Sequence, residues 1–245
     1  GAASTATGIQ LFGNDHYVSN TIVFSSHIGV HITHPANILQ GVHTWNLAVA
    51  NNGTGILVES AQTRLLGCYL DWNDLVLVAP IQDVSVEDGF FLGGGQYGGG
   101  TLVLRANQKA SVISGLSVFD NQFNHGGTEE SIIWVDTAFG EFSSVANMRV
   151  DNNLLQNGFV QKSTRASKVL TLQLANEWKF DFSDVLLFES VPIQWLSYSV
   201  QIDDDSSFVQ HTARKPVGQT VIVETSEKVN ATVYVTVDQS QNFDY

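Results

Sequence analysis

Apolar alternation begins at Gly8-Ile9-Gln10-Leu11 and restarts in Ile28-Gly29-Val30-His31-Ile32, Gly55-Ile56-Leu57-Val58, Leu75-Val76-Leu77-Val78, Thr101-Leu102-Val103-Leu104 and Ile132-Ile133-Trp134-Val135. Restarts every 20 to 30 residues or so mark units that bury their apolar faces only by stacking on one another. A second phrase runs between them. In Gly115-Leu116-Ser117-Val118-Phe119-Asp120-Asn121 the period of two sends Leu116 and Val118 inward and Ser117 outward. The stretch Gly67 to Asn73 has the same spacing, with Cys68 and Leu70 inward, and Asn147 to Asn153 repeats it; Gly41 to Asn46 is one residue shorter. A closing Asn tolerates a left-handed backbone and can bond to its like on the next coil, which suits a corner repeated coil after coil.

The expected fold is therefore all-β: a right-handed parallel β-helix over residues 1–165, then a small antiparallel β-sandwich over residues 166–245. A sandwich throughout is the competing architecture, because short regular strands suit it too. No stretch before residue 165 keeps helical apolar spacing for a dozen residues. After Arg165 the period fails, and LTLQL, WKFDF, IQWLSYSVQI, TVIVET and ATVYVTV read as alternating strands joined by polar turns such as Asp203 to Ser206 and Thr225 to Lys228. The last two read as a hairpin. The Gly-rich segment 93–100 reads as a surface excursion, since no Lys-Ser/Thr or helix follows to make a phosphate cradle. Since the first ten residues already form a coil strand, the expectation is a β-helix lacking its first coils, with the missing N-terminal half as a candidate second chain.

Composition narrows the partners. Net charge is −13, and no Lys or Arg precedes Arg64. Nucleic acid and anionic membranes need a cationic surface, so neither is expected. No apolar run approaches bilayer length, and the first residues lack the pattern of a signal peptide. The single cysteine, Cys68, excludes an intrachain disulfide and a Cys-based zinc site, and it reads as buried packing. His27 and His31, both outward and about 13 Å apart along a strand, are too far apart to share a metal. Neither metal nor cofactor is expected. Asn52 and Asn230 open Asn-X-Thr triplets, which would accept glycans in a secreted, cell-wall or extracellular protein.

In GNDHYV (13–18), VFSSHIGV (23–30), ANILQGVHTWN (36–46), GCYLDWNDLVLV (67–78), DGFFLGG (88–94) and, more weakly, SSVANMRVDNNLLQ (143–156), the chain resembles the C-terminal half of plant quartet-type polygalacturonase-like proteins. These belong to the pectin-lyase-like β-helix superfamily and are related to glycoside hydrolase family twenty-eight. The resemblance implies a pectic cell-wall polysaccharide as partner. Members of that hydrolase family carry Asn-Thr-Asp, Asp-Asp, Gly/Ser-His-Gly and Arg-Ile-Lys in chain order. Here Asn14-Asp15-His16 and Ser26-His27-Ile28-Gly29 are loose echoes; no Asp-Asp pair occurs in the expected β-helix and no Arg-Ile-Lys anywhere.

Glycoside hydrolysis needs two carboxyl groups flanking the scissile bond, about 6.5–9.5 Å apart when the configuration inverts. Asp71, Asp74 and Asp15 are the candidates, with His43 as the group that orients or polarises a carboxyl. Trp45 and Trp72 are candidate sugar platforms, and His27, Arg64 and Arg105 candidate substrate contacts, with Lys109 a further cation for uronates. The alternative roles are structural: Asp71, Asp74 and Asp15 as turn residues, and the tryptophans as packing beneath a loop. At the level of function, the alternative is a catalytically inactive carbohydrate-binding or storage β-helix. A polysaccharide lyase would need a Ca²⁺ or basic site that the sequence does not clearly supply.

Overall fold

The alternating segments are strands, and they stack. In a computed structural model, which describes residues 5–45, 54–93, 102–124, 131–156, 159–203 and 208–240, β1 (Thr7–Leu11), β2 (Tyr17–Ser19) and β3 (Ile22–Phe24) form the first coil. The second is β4 (Ile28–Ile32), β5 (Ile38–Gln40) and β6 (His43–Trp45), and the third β7 (Thr54–Val58), β8 (Arg64–Leu66) and β9 (Tyr69–Asp71). Next come β10 (Asp74–Val78), β11 (Ile81–Glu87) and β12 (Phe90–Leu92), then β13 (Leu102–Arg105), β14 (Ser111–Phe119) and β15 (Gln122–Asn124). The last coil is β16 (Ile133–Asp136), β17 (Phe142–Asp151) and β18 (Leu154–Gln156). Every third strand pairs in parallel, giving three 6-stranded sheets. We call them A, B and C after β1, β2 and β3. This is a parallel β-helix.

Register turns the period of two into ladders. Leu11, Ile32, Val58, Leu77 and Leu104 line up inside sheet A, and Leu39, Leu65, Val86 and Val118 inside sheet B. Inside sheet C the ladder runs Val23, Thr44, Leu70, Phe91, Phe123, and the last two rings stack at 4.6 Å. Each large side chain buried this way contributes about 1.5–3 kcal/mol. Cys68, inward as expected, is held among carbonyls and pushed up to about 11 by burial.

Left-handed backbone recurs in columns. Between sheets B and C every coil has one such residue: Asn20, Gly41, Gly67, Asp88, Asp120 and Asn152, with φ from 48° to 60°. Where the chain enters sheet B the column is Asp15, Ala36, Gln62, Asp83, Gly115 and Asn147. Ser25, Trp72 and Gly93 follow sheet C. The backbone thus bends at the same places in each coil.

These columns correct the reading of the closing Asn. The left-handed residue is the one before it, Trp72 or Asp120, while Asn73 and Asn121 point into the core at 1% exposure. Nor do the two phrases superpose. Gly67 falls in register with Asp120 rather than Gly115, so Asn121 opens sheet C whereas Asn73 follows its end. The cause is strand length: β8 has 3 residues and β14 has 9, so the same spacing covers different parts of the coil in the two places. The ladder itself exists. Asn121 Oδ1 accepts from the Gly89 N–H at 2.9 Å, and Asn153 Oδ1 accepts from the Asn121 N–H at 3.1 Å. Asn73 does its own bonding, accepting from Thr44 Oγ1 at 2.7 Å and donating to the Thr44 carbonyl at 3.1 Å. A Cβ on Gly55 would lie 1.8 Å from Asn73 Oδ1, so only glycine fits there.

The chain divides into two compact units, Gly1–Lys162 and Ser163–Tyr245. The second is a 4-stranded antiparallel sheet of β19 (Arg165–Asp181), β20 (Trp195–Ile202), β21 (His211–Ala213) and β22 (Thr220–Asp238). It is built from fewer, longer strands than expected. LTLQL and WKFDF are one strand, and the expected hairpin at Thr225 to Lys228 is absent, because β22 bulges there and continues along the same partner strand. The polar break is a bulge in β22, where 225–228 lie opposite Asn176 alone, and a smaller shift follows on β19, with Leu174 left-handed and its N–H donated to Asn230 Oδ1 at 2.9 Å. Both halves of β22 bury their valines with Trp178, Phe180 and Phe182 in one core. The Gly-rich segment 94–100, Asn46, Asn52, Asp204 and Asp205 lie outside the described residues. Among the described residues no helix is long and apolar enough to cross a membrane.

Candidate functional site

Each strand of sheet C is three residues long, and from β3 to β15 its middle residue is buried, so its first and third side chains face out. Parallel register then stacks these outward positions coil upon coil. One column runs Ile22, His43, Tyr69, Phe90, and the other Phe24, Trp45, Asp71, Leu92. Residues separated by a whole coil thereby become neighbours.

The His43 ring stacks on Tyr69 with centroids 4.3 Å apart, and Tyr69 meets Phe90 edge-on at 5.0 Å. Phe24 and Trp45 tilt against each other at 6.3 Å. Trp45 is 47% exposed, which leaves it open to a planar ligand. His43 Nε2 lies 3.8 Å from Asp71 Oδ2, with side-chain exposures of 29% and 15%. That separation is too long for a hydrogen bond. The buried Nε2 has no hydrogen-bond partner among the described residues, and Asp71 is the carboxylate beside it, so a small side-chain shift would close the pair. Desolvation first, and the charge of Asp71 second, hold the Tyr69 hydroxyl above its ordinary value, which keeps it a donor.

The structure brings together Asp71, His43 and Trp45. Trp72 stands at the adjoining corner, 55% exposed, where other coils place Ser25 and Gly93. A Cβ on Gly93 would lie 2.5 Å from the Trp72 ring, so the indole rests on bare backbone and keeps its other face outward. Asp74 is the first residue of β10, on sheet A, and fully buried. Asp15 lies in the left-handed column at the entry to sheet B, exposed and away from this face. His27 sits at the corner before β4, its N–H donated to the Ala6 carbonyl at 2.8 Å. Arg64 is on sheet B, lining a shallow cavity of about 420 Å³ with Gln62 and Asp83. Arg105, on sheet A, is paired with Asp136 at 2.9 Å. Lys109 lies in the turn after β13, lining another shallow cavity with Thr137 and Glu141.

Sequence reasoning missed Tyr69, Phe24 and Phe90. The signal was present: aligning His43-Thr44-Trp45 with Tyr69-Leu70-Asp71 puts His43 over Tyr69 and Trp45 over Asp71. It also missed a second His–carboxylate contact, His31 Nε2 to Glu59 Oε2 at 2.6 Å on sheet A, where the other ring nitrogen meets Gln10 at 3.3 Å. With both nitrogens engaged, that histidine is a surface tie. His43, by contrast, keeps its enclosed Nε2 unbonded beside Asp71.

No family model matches the chain. It is 35% identical over 238 residues to a protein named polygalacturonase QRT3 from Arabidopsis thaliana, a match covering 96% of this chain and 47% of that protein. The resemblance seen in the motifs thus extends along nearly the whole chain, which spans about half the length of that relative. Among solved structures, similarity is found to the tailspike protein gp49 of Pseudomonas phage LKA1, with a TM-score of 0.31 and 8% identity over 97% of this chain and 61% of that one. A second is the tailspike gp61 of Pseudomonas phage phi297, with a TM-score of 0.34 and 9% identity over 96% and 60%.

Proposed function

We propose that this chain is part of a glycoside hydrolase-like protein of the cell wall that acts on a pectic polysaccharide, binding the sugar chain along the outer face of sheet C. The observation that carries the reading is the meeting of Asp71 and His43 at 3.8 Å among exposed aromatic rings. The name of the plant relative supports the substrate class. Trp45 and Phe24 offer flat apolar surface to sugar rings, and the Tyr69 hydroxyl offers a donor. Asp71 is the carboxyl that reaches the glycosidic oxygen, with His43 orienting it. Asp74, the other candidate carboxyl, is fully buried on sheet A, so Asp71 is the carboxyl that the described outer face of sheet C presents to a sugar. No Lys or Arg lies in the described outward columns of sheet C, so the face favours neutral or esterified sugars over free uronates.

The full burial of Asp74 favours a second reading, a carbohydrate-binding β-helix without turnover. Reducing-end release from polygalacturonate, esterified pectin and neutral glycans separates the two. Under the first reading Asp71→Asn lowers turnover by about 10²-fold or more, and Trp45→Ala raises KM with a smaller effect on kcat. Sugar affinity that depends on Trp45 with no product released establishes the second. Turnover untouched by Asp71→Asn removes the site.

A further inference from the structure

The sheet of the second unit buries one side and leaves the other open, and the open side has an unusual composition. Ala231, Val233, Val235 and Val237 of β22 face the core, so the alternate residues face out. Tyr234 is at the centre of that face, 47% exposed, flanked by Val169 on β19 and Ser199 on β20. The row on one side is Ser167, Thr236 and Ser197, and on the other Thr171, Thr232 and Gln201. Two of these hydroxyl pairs are already bonded across the strands, Ser167 to Thr236 at 2.8 Å and Thr171 to Thr232 at 2.9 Å. Trp195, also 47% exposed, closes one end, with Arg165 5.6 Å from its ring and Asp238 opposite. Four residues along and one strand across, the positions of Trp195 and Tyr234 are about 14 Å apart.

We propose that this face binds an uncharged polysaccharide chain laid along β22, independently of any hydrolysis at sheet C. A sugar polymer presents flat C–H faces and hydroxyls in alternation. Tyr234 and Trp195 supply two stacking platforms, and the ordered Ser, Thr and Gln side chains between and beside them donate and accept. Charge selects the occupant. The central rows carry no ionic group in a chain of net charge −13, so a polyanion gains nothing there and meets a repulsive field, while a basic partner finds no carboxylate to pair with. A second copy of this chain would bring its own −13 to the contact.

Affinity electrophoresis of the full chain, produced without N-glycans so that Asn230 leaves the face clear, tests this in gels containing a neutral galactan, a neutral glucan or polygalacturonate. The expected result, read in a Trp45→Ala background that removes the sheet C platform, is retardation by a neutral polymer, weakened about fivefold to tenfold in apparent affinity by Tyr234→Ala and by Trp195→Ala and kept by Tyr234→Phe. Both alanine variants should melt within a degree or two of the parent, since the side chains lie outside the core. Four results would overturn the proposal: no retardation by either neutral polymer, retardation by polygalacturonate alone, retardation lost in Trp45→Ala but kept in Tyr234→Ala, or a concentration-dependent dimer abolished by Tyr234→Ala. Because Asp71→Asn leaves this face intact, its effect on turnover reports on the hydrolase reading separately.

Discussion

Sheet C and the sheet of the second unit both expose aromatic and polar side chains, yet they assemble them differently. On sheet C the neighbours Trp45 and Asp71 come from successive coils and meet only because two coils stack in parallel register. On the antiparallel sheet, Ser167 and Thr236 meet through direct antiparallel pairing, in a stretch of β19 that alternates in and out from Arg165 to Leu172. Both units bury polar groups, but the coils satisfy theirs by stacking: Asn73, Asn121 and Thr44 lie inside the β-helix, each bonded to the coil beside it. A stack of coils makes every inward position a ladder, so one polar residue is tolerable where its neighbour completes the bonding.

That difference yields graded consequences. Phe123→Ala removes a ring stacked on Phe91 inside the coil and should cost about 3–5 kcal/mol by urea denaturation, against about 2 kcal/mol for Val233→Ala in the antiparallel core. Equal losses would mean the coil core is no more tightly packed than the sheet. Asn121→Ala leaves the Gly89 N–H and the Val86 carbonyl without the bonds it made, for about 2–3 kcal/mol. Breaking the exposed pair in the second unit with Thr171→Val should shift stability by less than about 0.5 kcal/mol.

The left-handed columns predict a change of sign. Gln62 has φ 54°, so Gln62→Gly should stabilise by up to about 1 kcal/mol, whereas Gln201→Gly in extended β20 should destabilise by a similar amount. Two losses would show that the columns impose no strain. Smallest is a pH effect at Asp238, whose carboxyl burial raises above the usual range. The folded state then holds this proton more tightly than the unfolded state. Its contribution to stability is present below the unfolded carboxylate value, is lost as pH climbs through the folded one, and is flat beyond. Melting temperature followed from pH 3 to 7 should therefore fall less in Asp238→Asn than in the parent.

Sequence periodicity located the strands of the β-helix because alternation is local: Leu116 and Val118 face inward whatever lies next to them. It likewise located the antiparallel unit, while missing that β19 and β22 run through their polar breaks. Serine, Glu and Lys at 226–228 resemble a turn in any local window, and only the pairing of both flanks with β19 shows that the chain bulges there and goes on in the same direction. Of the carboxylates, Asp71 and Asp74 are indistinguishable in sequence, three residues apart at one corner. One faces out beside His43 and the other is wholly enclosed.

Strand identity, inward side and the acidic, cation-poor character of the first coils were thus decided by the amino-acid sequence alone, since each depends on residue type and a spacing of two. Which outward residues touch was decided only by the tertiary stack. Coils differ in length, with 21 residues separating Gln10 from His31 and 32 separating Gly89 from Asn121, so the register that sets His43 on Tyr69 and against Asp71 exists only once the coils have closed upon one another.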